Sequence, residues 1–161
     1  MTLEPLTAEH ADAVLAFELE NREYFASWIW DRGDDYFANF AAKHAALLAE
    51  QAAGVCRFHV LVDDSGAVAG RVNLVDLKNG SAELGYRMAQ KWAGQGLASA
   101  AVRAIIGVAA TEYGLTALWA GASDRNPASQ AVLTRAGFRQ VATTSTDLGP
   151  GKRFELVLEG V

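Results

Sequence analysis

Apolar positions along this chain recur with two different periods, and the changes between them mark out its elements. Thr2–Leu6 reads as a short edge strand, and Thr7 with Glu9 as a helix start. Helical spacing then runs through Ala11, Val14, Leu15, Phe17 and Leu19 to an aromatic cluster of Tyr24, Phe25, Trp28 and Trp30. After a loop from Asp31 to Asp35, a second, alanine-rich helix is expected from about Asp34 to Ala53, stopped by Gly54. The period then falls to two. Val55–Val62 and Ala67–Val75 flank the turn Asp63-Asp64-Ser65-Gly66 as a hairpin, and Asn79-Gly80 is a second turn leading into the strand Glu83–Met88. Leu97 to Tyr113 is a mostly apolar helix, so the strand Leu115–Ala122 should lie parallel to its predecessor. Asn126-Pro127 opens a short helix that closes at Gly137. Phe138–Thr146 and Lys152–Leu158 are the last strands, with a turn expected at Gly149-Pro150-Gly151. No linker or repeat interrupts the series, so residues 1–161 are read as one mixed α/β domain.

The chemistry concentrates after the strand Glu83–Met88. Gly94 and Gly96 allow a tight turn without side chains, and the helix from Leu97 presents free N–H groups and the positive end of its dipole. That arrangement suits a phosphate or pyrophosphate. Gly94-Gln95-Gly96-Leu97-Ala98-Ser99 narrowly misses the dinucleotide fingerprint, because the acidic residue near the right distance, Glu112, ends a helix rather than a strand. The Walker-type loop fails, since no Gly-Lys-Ser/Thr follows.

Composition narrows the classes. Half of the residues are apolar (51%) and a fifth charged (20%), which is ordinary for a soluble domain. No apolar run reaches membrane-spanning length and no signal peptide begins at Met1, so a cytoplasmic protein without membrane contact is expected. Cys56 is the single cysteine, which excludes an internal disulfide and reads as a buried thiol. His10, His44 and His59 lack metal-ligand spacing, so no metal is expected. A net charge of −5 argues against nucleic acid and is compatible with attracting a basic peptide or an amine.

Lys91-Trp92-Ala93-Gly94-Gln95-Gly96 resembles motif A of the GCN5-related N-acetyltransferase (GNAT) superfamily, R/Q-x-x-G-x-G/A, with Lys91 in place of the usual Arg or Gln. Asn126, Ser129, Leu133 and Gly137-Phe138 match that family's motif B, although Asn126 and Pro127 are also sufficient as a plain helix start. The order of elements matches the family over essentially the full length. The phrases Glu20-Asn21-Arg22-x-Tyr24-Phe25-x-x-Trp28 and Leu84-Gly85-Tyr86-Arg87-Met88 resemble the ribosomal-protein-alanine N-acetyltransferase (RimJ/RimL-like) branch.

The resemblance implies a central, mostly antiparallel twisted sheet that splays at an acetyl-CoA site, flanked by helices. It implies acetyl-CoA as co-substrate, held by Met88, Lys91, Gly94, Gln95, Gly96, Leu97, Ala98, Asn126 and Ser129. Backbone N–H groups near Met88 would meet the thioester carbonyl. Glu83 is the candidate base acting through water, with a solvent-facing carboxylate as its plain alternative. Ser129 is the nearby hydroxyl on the leaving-group side, because Gln130 to Gln140 contains no tyrosine. Tyr24, Trp28 and Trp30 are candidate walls of the acceptor groove, and Asp31, Asp34 or Asp35 could draw in an ammonium; the aromatics also suit a core. The implied acceptor is a protein or peptide N-terminal amine, with a small amine such as an amino acid or polyamine as the alternative. A catalytically weak acetyl-CoA sensor and self-association into a homodimer stay open.

Overall fold

A computed structural model describes residues 1–158; residues 159–161, which the one-domain reading includes, lie outside it. Among the described residues the strands are β1 (Thr2–Pro5), β2 (Arg57–Val62), β3 (Val68–Lys78), β4 (Ser81–Met88), β5 (Ala117–Ser123), β6 (Arg139–Thr146) and β7 (Gly149–Val157). The α-helices are α1 (Ala11–Glu20), α2 (Arg22–Ala26), α3 (Asp34–Ala38), α4 (Phe40–Ala52), α5 (Leu97–Thr111) and α6 (Pro127–Arg135). One sheet runs β1-β2-β3-β4-β5-β7-β6. All neighbours are antiparallel except β4 and β5, as the helix between those two strands requires.

That parallel pair is short. It joins Ser81 to Ala117, Ala82 to Leu118 and Glu83 to Trp119, and goes no further. Beyond it β4 continues against β3 as far as Met88, opposite Gly70, while β5 continues against β7 as far as Ser123, opposite Gly151. The sheet therefore parts in its middle.

The two faces of the sheet carry separate apolar cores. On one, α5 buries Ala101, Val102, Ile105 and Ala109 against Val72, Leu74, Leu84 and Leu118. On the other, Val14, Phe17, Phe25 and Phe40 pack on Phe58, Val60 and Val68. Full burial of each large side chain contributes about 1.5–3 kcal/mol, which holds α1, α2 and α4 to the sheet alongside two polar links, Phe58 N–H donating to Gln51 Oε1 of α4 at 2.8 Å and Arg71 of β3 pairing with Glu18 of α1.

Three expectations are corrected. The helix foreseen over Asp34–Ala53 is two, α3 and α4. Asn39 breaks it with φ −115° and ψ 29°, and the Asn39 amide donates to Asp35 Oδ1 at 2.7 Å. The aromatic segment contains a helix, α2, fastened by Phe17–Phe25 ring contact at 5.4 Å between centroids. The last hairpin turns at Asp147-Leu148, so Gly149-Pro150-Gly151 already belongs to β7. Gly151 is needed inside the sheet, because a Cβ there would lie 2.5 Å from Ala122 O and 2.6 Å from Thr146 Cγ2.

Candidate active site

The chain leaves β4 at Met88, makes a short 3-10 turn over Gln90–Trp92, and reaches Gly94 and Gly96 with φ of 73° and 78°. Those left-handed angles suit glycine and explain the pair. The carbonyls of Gln90 and Trp92 accept from Ala93 and Gln95. Among the described residues, the amides of Gly94, Gly96, Leu97, Ala98 and Ser99 have no acceptor in the protein. Nothing beyond the chain neighbours lies within 4 Å of where a Cβ would sit on Gly94 or Gly96, so the loop is open at the start of the 15-residue α5. Free amides, an open loop and the positive helix end together fit a diphosphate.

The next element after β5 supplies the opposite wall. Asn126 caps α6 by accepting the Ser129 N–H at 3.1 Å, with Pro127 in the first turn. The β5–α6 loop is held by Gln130 Nε2 donating to Ser123 O at 3.1 Å and by Asp124 N donating to Pro150 O at 3.0 Å. Ser129 Oγ then lies 3.0 Å from Tyr86 Oη. Burial pushes the Tyr86 phenol up, against the opposing bond from Ser129, so it stays protonated at neutral pH.

Ala89 N–H donates back to Ala69 O on β3 at 2.8 Å. Hydrogen-bonding edges alternate along a strand, so the Met88 and Tyr86 amides face the other way, into the gap where β5 no longer pairs. Asn21 fixes this corner: buried at the end of α1, it donates to Phe17 O at 2.9 Å and accepts Gln90 N–H at 2.9 Å.

A cleft of about 530 Å³ connects these features. Its lining brings together the expected residues Tyr24, Trp28, Met88, Gly94, Gly96, Leu97, Ala98, Asn126 and Ser129. Lys91 and Gln95 are exposed beside the loop and outside that lining, with Gln95 Nε2 donating to Lys91 O at 2.9 Å. Trp30 is also outside; it is 74% exposed and its indole donates to Asp147 O at 3.1 Å, joining the α2–α3 loop to the β6–β7 turn. Both oxygens of Asp31 are taken by Arg22, at 3.0 and 2.8 Å, which holds the Asp31 carboxyl down at about 2. Glu83 is half-buried at the last β4–β5 pair, below the cleft lining. Burial raises its carboxyl, Asp76 adds to that, and Arg153 opposes it.

Two lining residues, Tyr86 and Arg87, were not singled out for a role by sequence reasoning. Strand parity was the available signal, because Tyr86 shares a face with Met88. Among the described residues no group of three or more His, Cys, Asp or Glu is arranged to hold a metal ion, and no helix is long and apolar enough to cross a membrane.

Comparison with known proteins agrees with this geometry. The chain is similar to the probable N-acetyltransferase YjcK of Bacillus subtilis (strain 168), 28% identical over 142 residues, 84% of this chain and 78% of that protein. Among solved structures it resembles the ribosomal-protein-S5-alanine acetyltransferase of Vibrio fischeri (TM-score 0.90, 18% identity, 98% of this chain and 93% of that one). It also resembles Mycobacterium smegmatis RimJ in complex with CoA-disulfide (TM-score 0.86, 21% identity, 99% and 82%). A mutant spermidine N-acetyltransferase SpeG from Vibrio cholerae matches at TM-score 0.78 and 15% identity, over 98% and 95%. At these identities the structural likenesses carry the fold alone. The family model of the acetyltransferase (GNAT) domain matches residues 1–139, most of the chain, and with the splayed sheet and glycine loop already described, this protein belongs to the GNAT family of N-acetyltransferases.

Proposed function

We propose that residues 1–161 form one catalytic domain that transfers acetyl from acetyl-CoA to the N-terminal α-amine of a protein or peptide, by direct attack in a ternary complex. The observation that carries this reading is the meeting, in one cleft, of the unpaired loop amides and the gap between β4 and β5. Bound acetyl-CoA supplies an electrophilic thioester carbon. The amides of Gly94, Gly96, Leu97, Ala98 and Ser99 are suited to grip its diphosphate. The Met88 amide faces the gap and donates to the acyl oxygen as that oxygen gains charge, a contribution of about 2.7–4 kcal/mol per donor in acyl transfer.

Tyr86, protonated and hydrogen-bonded to Ser129, is the hydroxyl donor on the sulfur side. A thiolate with a pKa of about 8.5 needs only a modest donor. Glu83 accepts the amine proton through water. An α-amine with a pKa of about 7.7–8.0 is partly neutral already, so a distant, water-relayed base suffices. Tyr24, Phe25 and Trp28 wall the acceptor side. Cys56 is buried outside the cleft and burial raises its thiol, which supports direct attack over an acyl-enzyme.

The test pairs calorimetric titration of CoA with a thiol-release assay on Ala- and Ser-starting peptides and spermidine. CoA binding with release on the peptides is the expected result. Binding without release on any amine would favour the sensor, and release confined to spermidine would favour a small-amine enzyme.

A further inference from the structure

The charges beside the acceptor wall do not balance. Glu18, on α1, is 1% exposed and faces three guanidinium groups. Arg32 Nε donates to it at 2.8 Å, Arg71 Nη1 at 3.4 Å, and Arg87 Nη1 reaches its two oxygens at 3.5 and 3.4 Å. Arg71 also donates to the Tyr36 hydroxyl at 3.3 Å. Three cations thus share one carboxylate, leaving a formal excess of two positive charges (three minus one). Buried or half-buried ions in excess are costly unless a counter-ion arrives.

Arg87 is where one can arrive. It lines the cleft, its side chain is 20% exposed, and its guanidinium lies 4.7 Å from the ring centre of Phe25, another lining residue. Among the described residues its Nε and Nη2 donate to nothing in the protein. Its Cα is about 3.8 Å from that of Met88, whose amide faces the acyl group in the reading above. Burial first, then the nearby Arg32, pushes the Arg87 guanidinium down to about 10, as expected of a cation short of counter-charge. The acid surplus at Arg22, with Asp31 and Asp34, does not supply it. Those carboxylates are bonded to Arg22 at 2.8 Å, and Asp34 is 98% exposed, hence screened.

We propose that the acceptor amine carries a carboxylate close to it, which Arg87 receives through its free fork of N–H donors. This rests on the acetyl-transfer reading and deepens it: the acceptor is an acidic chain end or an amino acid rather than a polycation. An Arg fork matches a carboxylate in two parallel bonds, whereas a polyamine would add charge to a site already in excess.

The test is thiol release from acetyl-CoA by the intact protein with matched acceptors. Peptides beginning Ala-Asp and Asp-Ala are compared with Ala-Asn and Asn-Ala, alongside free aspartate and spermidine. The acidic peptides should exceed their amide twins in kcat/KM by about tenfold, the scale of one charge-assisted hydrogen bond. Arg87→Gln should bring that ratio close to one while CoA affinity, read by calorimetry, holds. Arg87→Lys, which keeps the charge but not the fork, should retain part of the preference and controls for loss of fold. Faster turnover of peptides than of free aspartate assigns the carboxylate to a chain end; the reverse assigns it to an amino acid. Equal rates for acid and amide twins, spermidine faster than the acidic peptides, or a loss of CoA affinity in Arg87→Gln would each overturn the proposal. Silence from every acceptor would remove the transfer reading itself, and this one with it.

Discussion

Tyr86 and Ser129 form a hydroxyl pair that neither residue could make alone. One comes from β4 and the other from the first turn of α6, and they meet at 3.0 Å across the cleft. If Tyr86 donates toward the leaving sulfur, Tyr86→Phe should lower kcat by about tenfold, less than the ~10²-fold of stronger acid catalysis, with CoA affinity little changed. Single-turnover kinetics would check it. Glu83→Gln should lower turnover and remove the enzyme's own contribution to the acidic limb of the pH–rate profile, leaving the limb set by the amine at about 7.7–8.0. The Glu83 contribution should sit above the usual carboxylate range, because burial raises that carboxyl; unchanged turnover and an identical profile from about pH 5 to 9 would remove Glu83 as the base. His59 gives a separate pH signature. It is 2% exposed, bonded to Tyr113 Oη at 2.6 Å, and burial lowers it from 6.5 to about 4. The unfolded chain takes up that proton first, so stability present above pH 6.5 is lost as pH falls toward 4, by about 3 kcal/mol in all. Urea unfolding at pH 7.5 and 4.5 should show the slope, and His59→Gln should flatten it.

Among elements, the glycine loop and the last hairpin make opposite predictions. Nothing beyond the chain neighbours lies within 4 Å of where the Cβ of Gly96→Val would sit, so packing is not the main cost there. Its cost is the φ of 78°, about 1–3 kcal/mol of local strain, and a side chain placed where the amides should meet a diphosphate. CoA affinity should fall strongly in calorimetry while the melting temperature changes modestly. Gly151→Ala instead forces a methyl onto Ala122 O at 2.5 Å and should destabilise by about 1–3 kcal/mol without contact with the loop.

These elements differ in how legible they were. Strands and α5 follow from period and length, and the glycine loop could be placed because a positive φ has few other tenants. The short helices α2 and α3, five residues each, could not be read so. Helices of that length are not stable by propensity and form because packing holds them. Their anchors are tertiary: Arg22 over Phe37 at 4.3 Å, and Arg87 over Phe25 at 4.7 Å. For the same reason the roles of Arg22 and Arg87 were not visible. Asp31 reads as a free acid until Arg22, nine residues earlier, is brought onto it.

At the scale of the whole molecule, the order of strands and helices was readable because each connection is short and each core face repeats regularly. What the order alone leaves out is how far β4 and β5 stay together. Among the described residues, the strand pairs that join the β1–β4 half to the β5–β7 half are the three between Ser81–Glu83 and Ala117–Trp119, begun by Gly80 O accepting from Thr116 N and Ala117 N. A ligand in the cleft touches both halves, so CoA at a hundred times its Kd should add about 2.7 kcal/mol and raise the melting temperature by about 5–10 °C.

That short seam makes the protein resemble a garment fastened by three stitches at the hem and left open above. Whatever fills the opening supplies cohesion that main-chain pairing does not. Amide exchange at Tyr86 and Met88, on the unfastened edge, should therefore slow on coenzyme addition by more than exchange at Leu61 or Val72, which are sewn into the sheet in either case.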